Sequence, residues 1–171
     1  MKANNLIRAS LLAVSVFSLT ACGFALRGVG TNSQQLAPAY HQVTISTADD
    51  PTAYAFKYKL ETRLSQLGVN STSDAAQQIR IDNLRYRRYE LLGILTEVRL
   101  LLMADVTYQV DGKTHSYPIQ VERSYQYNQG TVATSDQQGE QAQNWLQNNL
   151  AERIAEQYYA LATQSGSKGT P

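Results

Sequence analysis

The feature that most restricts what this chain can fold into is the run EVRLLLMADVTYQVDG, Glu97 to Gly112. Val98, Leu100, Leu102, Ala104, Val106, Tyr108 and Val110 recur at every second position, with Glu97, Arg99, Asp105, Thr107 and Gln109 among the residues between them. A period of two sends successive side chains to opposite faces of a strand and does not map onto one face of a helix. Asp111-Gly112 then suits a type I′ hairpin turn. Tyr117, Ile119, Val121, Tyr125 and Tyr127 continue the alternation on the return strand, and Pro118 predicts an edge position there. At ~3.3 Å per residue, a strand of about 14 residues spans roughly 45 Å, longer than most. The hairpins are therefore predicted to project past the helices that cover them. Leu101 and Met103 fall on the otherwise polar face, so part of that face is covered or binds something apolar.

The other elements follow from shorter signals. HQVTIST (His41 to Thr47) alternates as a short strand. Asp49-Asp50-Pro51 is a helix start, with Asp as N-cap and Pro in the first turn. Ala53, Phe56, Leu60, Leu64 and Leu67 then recur at three and four, and Gly68 closes a helix predicted over 51–67. Val69 to Ala76 reads as a loop. From Gln77 a second strand carries Ile79 and Ile81, breaks its alternation at Asn83-Leu84 as a bulge would, and resumes with Leu84 and Tyr86. Gly93 lies near its turn. Tyr127 to Gly139 reads as a loop. Ala142, Trp145, Leu146, Leu150, Ile154, Tyr158 and Leu161 form one stripe of a helix over about 139–163. The predicted order is β-α-β-β-β-α. It gives an α+β two-layer sandwich, with two helices packed on one face of a four-stranded mixed sheet.

The first 21 residues read as an export signal. Lys2 and Arg8 form a positive n-region, and LLAVSVFSL is an h-region too short to span a bilayer. Leu19-Thr20-Ala21-Cys22 resembles the bacterial lipobox, in which the thiol receives diacylglycerol, the chain is cut before the cysteine and the new amino terminus is acylated. Cys22 is the chain's one cysteine. Three acyl chains on it would hold the protein on a membrane, since two lipid signals already suffice. Gly23 stands where inner-membrane retention would place Asp, so the resemblance implies the periplasmic face of the outer membrane. The predicted organisation is signal 1–21, lipidated N-terminus and tether 22–40, one domain 41–163, and a flexible tail 164–171. Removing Lys2 and Arg8 from the 15 basic residues leaves 13 against 14 acidic ones, without the basic excess of a general nucleic-acid binder. Eleven Tyr against 3 Phe and 1 Trp suit either a wet-edged sheet or an interface.

Catalytic signatures are missing: no GxSxG, HExxH, P-loop or GxGxxG. His41 and His115 stand alone in predicted strands, no metal site or cofactor is implied beyond the acyl chains on Cys22, and Asp49-Asp50 reads as a helix cap. The cluster that stands out is RYRRYE, Arg85 to Glu90. Arg85, Arg87 and Arg88 place guanidinium forks beside tyrosine rings, and Arg99 and Arg123 could extend that surface. Such a cluster either guards a strand edge against aggregation or binds an anionic lipid or glycolipid.

CGFALRG (Cys22 to Gly28), Tyr117-Pro118-Ile119 with Val121-x-Arg123-x-Tyr125, Asn128, and Ser135-Asp136-x-x-x-Glu140 before an amphipathic helix together resemble the LPS-assembly lipoprotein (LptE) family. The resemblance implies two helices on a four-stranded sheet and no enzymatic activity. It implies a plug inside the outer-membrane β-barrel LptD, help in assembling that barrel, and binding of lipopolysaccharide (LPS) on its way to the cell surface. It makes Arg85, Arg87, Arg88, Arg99 and Arg123 candidates for LPS contact. The apolar turn Leu91 to Leu95 could instead touch acyl chains or the barrel wall. An accessory lipoprotein of another envelope lipid transporter is the alternative; an envelope hydrolase ranks third.

Overall fold

The computed structural model describes residues 36–92, 96–127 and 132–167. The signal, Cys22, the tether up to residue 35, Gly93, Asn128 and the last four residues lie outside them. In chain order the elements are β1 (Gln42–Thr47), α1 (Pro51–Gln66), β2 (Asn70–Ser71), β3 (Gln78–Leu91), β4 (Thr96–Val110), β5 (Lys113–Tyr127) and α2 (Val132–Ser167). A short 3-10 turn, Pro38–Tyr40, precedes β1.

The sheet is α+β in context and mixed in sense, with strand order β2-β1-β3-β4-β5. β1 runs parallel to β2 and β3, while β3, β4 and β5 form an antiparallel meander. It has five strands where four were expected. The fifth, β2, is two residues long, too short to carry a period, and lies inside the segment read as a loop. Its backbone is tied to β1 by Asn70 N–H to the His41 carbonyl at 2.8 Å and Thr72 N–H to the Val43 carbonyl at 2.9 Å.

Local signals set the ends of α1. Asp50 accepts a hydrogen bond from Ala53 N–H at 2.9 Å, and Gly68 takes φ +78° just past the helix. Asp111 (φ 54°) and Gly112 (φ 69°) make the β4–β5 turn as the sequence predicts. Pro118 lies in β5, the sheet edge it was expected to mark.

Both helices cover one face. Val43, Ile45, Ile79, Ile81 and the alternating residues of β4 pack with Phe56, Leu60, Leu64, Leu146, Leu150, Ile154 and Tyr158 in one core. α2 departs from expectation at both ends. It begins at Val132, inside the predicted loop, and continues to Ser167 in the predicted tail. Gly139, read as the end of the loop, lies inside the helix, where an added Cβ would sit 3.2 Å from the Tyr125 hydroxyl. At Gly166 an added Cβ would sit 3.6 Å from both Ala37 and Tyr40, so the last turn lies close to residues just before β1. Leu36 and Tyr40 are themselves part of the core. Trp145 is a second correction: the helical stripe includes it, but it is 40% exposed.

β1 accompanies β3 only from Gln78 to Ile81. From Asp82 to Leu91 the outer edge of β3 has no strand beside it among the described residues. The β3–β4–β5 meander thus runs on well past β1, but it does not project past both helices as its length predicted, because the early start of α2 brings Gly139 beside Tyr125 and Trp145 beside Arg123.

Candidate functional site

The site is created by one extra residue in β3. Asp82 pairs with Asp105 but Arg85 pairs with Met103, so three steps on β3 match two on β4. This is the bulge expected at Asn83-Leu84. Asn83 takes φ 54°, a conformation Asn tolerates better than most residues, and its Nδ2 donates to Asp105 Oδ2 at 2.7 Å. The bulge reverses parity. Ile79 and Ile81 face the helices before it, whereas Leu84 and Tyr86 pack against the core after it. Had the alternation of Ile79 and Ile81 continued unbroken along the same residues, Arg85 and Arg87 would point into the core; with the bulge they reach the open face, opposite Met103 and Leu101.

The five candidate arginines therefore do not form one surface. Arg85, Arg87 and Arg99 are on the open face, the last across from Tyr89. Arg88 and Arg123 are on the helix face, each opposite Leu100 from its own side. Arg88 donates to Glu90 from Nε at 2.7 Å and from Nη2 at 2.5 Å. Arg123 lies 5.0 Å above the Trp145 ring, a cation–π contact that also accounts for the position of the exposed indole. The signal for this division was present in the sequence, since adjacent residues of a strand cannot share a face.

On the open face the charges are unequal. Arg99 is paired to Glu122 on β5 at 3.1 Å, a diagonal cross-strand contact. Arg85 Nη1 donates to the Asn83 carbonyl at 3.0 Å and has no carboxylate partner, and Arg87 has no ion pair, among the described residues. Between these cations runs an apolar strip. Leu101 is only 8% exposed, although neither helix covers that face. Long neighbours shelter it, and Tyr89, Leu91, Arg99 and Glu122 line with it a shallow cavity of about 510 Å³. The side chains on this face nearer β1 are short or polar: Thr44, Ser46, Gln78, Thr107 and Gln109. Cationic forks, a sheltered leucine and an exposed tyrosine together suit an amphiphile with an anionic head, because guanidinium binds phosphate or carboxylate bidentately.

The remaining candidates are structural. His41 places its ring nitrogens 2.9 Å from the Gly68 carbonyl and 2.8 Å from the Leu36 carbonyl, joining the segment before β1 to the end of α1. His115 stacks on Tyr117 with centroids 6.5 Å apart. The tyrosines are not confined to the wet-edged sheet or interface that their number suggested. Tyr108 and Tyr158 are core residues whose hydroxyls donate to the Ile154 and Tyr40 carbonyls at 3.3 and 2.9 Å. Burial, with smaller contributions from the neighbouring Tyr117 and Tyr40 respectively, pushes both phenols well above their ordinary range. Tyr54 and Tyr58, by contrast, are exposed on α1. Among the described residues no group of three His, Cys, Asp or Glu side chains could hold a metal, and no helix is long and apolar enough to cross a membrane.

Comparison with solved structures places this architecture. A minor lipoprotein from Acinetobacter baumannii superposes with a TM-score of 0.61 at 28% identity, covering 71% of this chain and 92% of that one. Rare lipoprotein B from Shewanella oneidensis superposes with a TM-score of 0.60 at 17% identity, covering 73% and 98%. The chain has the rare lipoprotein B fold. That agrees with the LptE-family resemblance carried by Cys22 to Gly28 and by the Tyr117 to Tyr125 segment. No family model matches the sequence, and no curated protein matches it. The rare lipoprotein B fold here thus presents one helix-covered face and one open face, and Arg85 and Arg87, without ion pairs among the described residues, are on the latter.

Proposed function

We propose that the protein is an outer-membrane lipoprotein, acylated at Cys22, that plugs and helps assemble the LptD barrel and binds LPS in transit, without enzymatic activity. The observation that carries the ligand part is the pair Arg85 and Arg87, two residues apart on one face, lacking carboxylate partners among the described residues and lying opposite Met103 and Leu101. Lipid A offers phosphates for the guanidinium forks and acyl chains for the apolar strip. The lipobox and Gly23 support the outer-membrane address, and the likeness to two lipoproteins supports the anchored class.

Arg88 provides an internal control, because it belongs to the same sequence cluster but faces the helices. Arg85→Ala/Arg87→Ala is expected to weaken LPS binding about ten-fold or more, from loss of two charge-assisted contacts. Arg88→Ala should leave it within about two-fold. Binding of the purified lipoprotein to immobilised LPS measures both, and equal effects from the two variants would refute the open-face site. Co-purification from membranes with a tagged copy should recover a large β-barrel. Recovery of a different lipid transporter would favour the accessory-lipoprotein alternative.

A further inference from the structure

On the other side of the molecule, the outward surfaces of α1 and α2 leave a groove of about 380 Å³, lined by Tyr58, Lys59, Arg63, Gln66, Asn148 and Glu152 among others. We propose that this groove is a carbohydrate site, taking uncharged pyranose units of a glycan. The proposal does not depend on the open face.

Charge balance narrows the ligand first. Arg63 Nη2 lies 2.5 Å from Glu152 and 3.9 Å from Glu156, while Lys59 is held by amide oxygens, so two carboxylates offset in number the two cations around the groove. An anion gains little there, and the polar lining disfavours an apolar guest. The pattern of hydrogen bonds narrows it further. Lys59 Nζ donates to Asn144 and Asn148 Oδ1 at 2.5 and 3.0 Å, and Arg63 Nη1 donates to Gln66 Oε1 at 2.9 Å. Each planar side chain is therefore fixed through one atom and keeps the other for a ligand. Asn148 and Gln66 retain amide donors, Glu152 retains a carboxylate oxygen, and Lys59 has three protons for two fixed bonds. Prepositioned donors and acceptors at short separations match the vicinal hydroxyls of a sugar ring. Their orientation costs no entropy on binding, having been fixed on folding.

An aromatic platform completes the site. Tyr58 lines the groove while 72% exposed, and Tyr54, one turn earlier on the same side of α1, is 61% exposed. An apolar ring face left in water beside hydroxyl-matching groups suits the C–H face of a pyranose. Tyrosine supplies that area with little side-chain entropy to lose.

The test uses the full lipidated protein in a detergent without a sugar headgroup. Saturation-transfer NMR is recorded with two neutral probes, chitotetraose and a neutral hexose fragment of the LPS oligosaccharide. Transfer to either supports the site, and which probe receives it tells a wall-type glycan from the saccharide of a glycolipid. Tyr58→Ala is expected to weaken binding about ten-fold, while Tyr58→Phe keeps the ring and retains it. Because Tyr58 is exposed, circular dichroism should show both variants folded. No transfer to either probe with the unsubstituted protein overturns the proposal, as does transfer that Tyr58→Ala leaves unchanged. Arg85→Ala/Arg87→Ala should not alter saccharide binding, which keeps this result separate from that of the open-face reading.

Discussion

The half of the sheet beside β1 and the half beyond it use the same three long strands, yet they differ in what stabilises them. Beside β1, the helix face is packed by α1 and α2 together. Val43, Ile79, Tyr108, Phe56, Leu60 and Ile154 are all fully buried there. Beyond β1, α1 is absent, β3 loses its outer neighbour, and the helix face carries Arg88, Glu90 and Arg123 as well as Val98, Leu100 and Leu102. The first half is specified by burial, each large side chain contributing roughly 1.5–3 kcal/mol. The second depends on main-chain pairing and on long side chains covering short ones. Its weaker packing leaves cations available on a surface, which a stability-driven core would not allow.

Asn83→Val would test the boundary between the halves most severely. A β-branched residue opposes the positive φ of the bulge, and a strand that straightened with its length unchanged would turn Arg85 and Arg87 toward the core. We expect a loss of about 4 kcal/mol, from backbone strain or from burying unpaired charge. Denaturant unfolding, with hydrogen exchange across 85–91, would report it; a change below about 1 kcal/mol would show that the far half tolerates either register. Next in size is Ile154→Ala, at a fully buried position of α2 beside β1. It should cost about 3 kcal/mol, and the denaturation midpoint measures it. By comparison, Arg85→Ala should change stability by less than about 0.5 kcal/mol. Comparable losses from the two would erase the distinction between a packed half and a functional one.

A smaller effect concerns pH. Burial raises the folded-state values of Tyr108 and Tyr158 above the ordinary 10.0 of a phenol. The unfolded chain therefore releases these protons first. The stability linked to them is complete below pH 10 and falls as pH rises beyond it. Thermal melts of Tyr108→Phe and Tyr158→Phe should decline less steeply above pH 10 than those of the unsubstituted protein. Each variant should lose about 1 kcal/mol at neutral pH with its hydrogen bond. Parallel alkaline slopes would show that other groups govern that limb.

How much was legible differs element by element. The long hairpin, the Asp50 cap, the Gly68 stop and the bulge at Asn83-Leu84 were readable because each is written in consecutive residues. β2 was not, since two residues carry no period and its pairing depends on β1 being present. The first turns of α2 were hidden by Gly139, whose turn-like signal is overridden by its place beside Tyr125. At the open face, residue types were legible and their company was not. Arg85, Arg87, Arg88, Arg99 and Arg123 were all named from the sequence, but as one surface, although the period of the strand already separated Arg87 from Arg88. The α1–α2 groove went unread, because its lining residues come from helices more than 80 positions apart.

The sequence by itself determined the strands, the turn, the caps and the bulge, and so determined which face of β3 each arginine takes. These are consequences of local backbone geometry, fixed by side-chain period and by residues that tolerate positive φ. Only the tertiary structure decided which charges stay uncompensated. Glu122 reaches Arg99 from the next strand, Trp145 reaches Arg123 from a helix, and no carboxylate reaches Arg85 or Arg87 among the described residues. Those outcomes depend on register and packing between segments distant in the chain, where a side chain's partner is set by the fold and not by its neighbours in sequence.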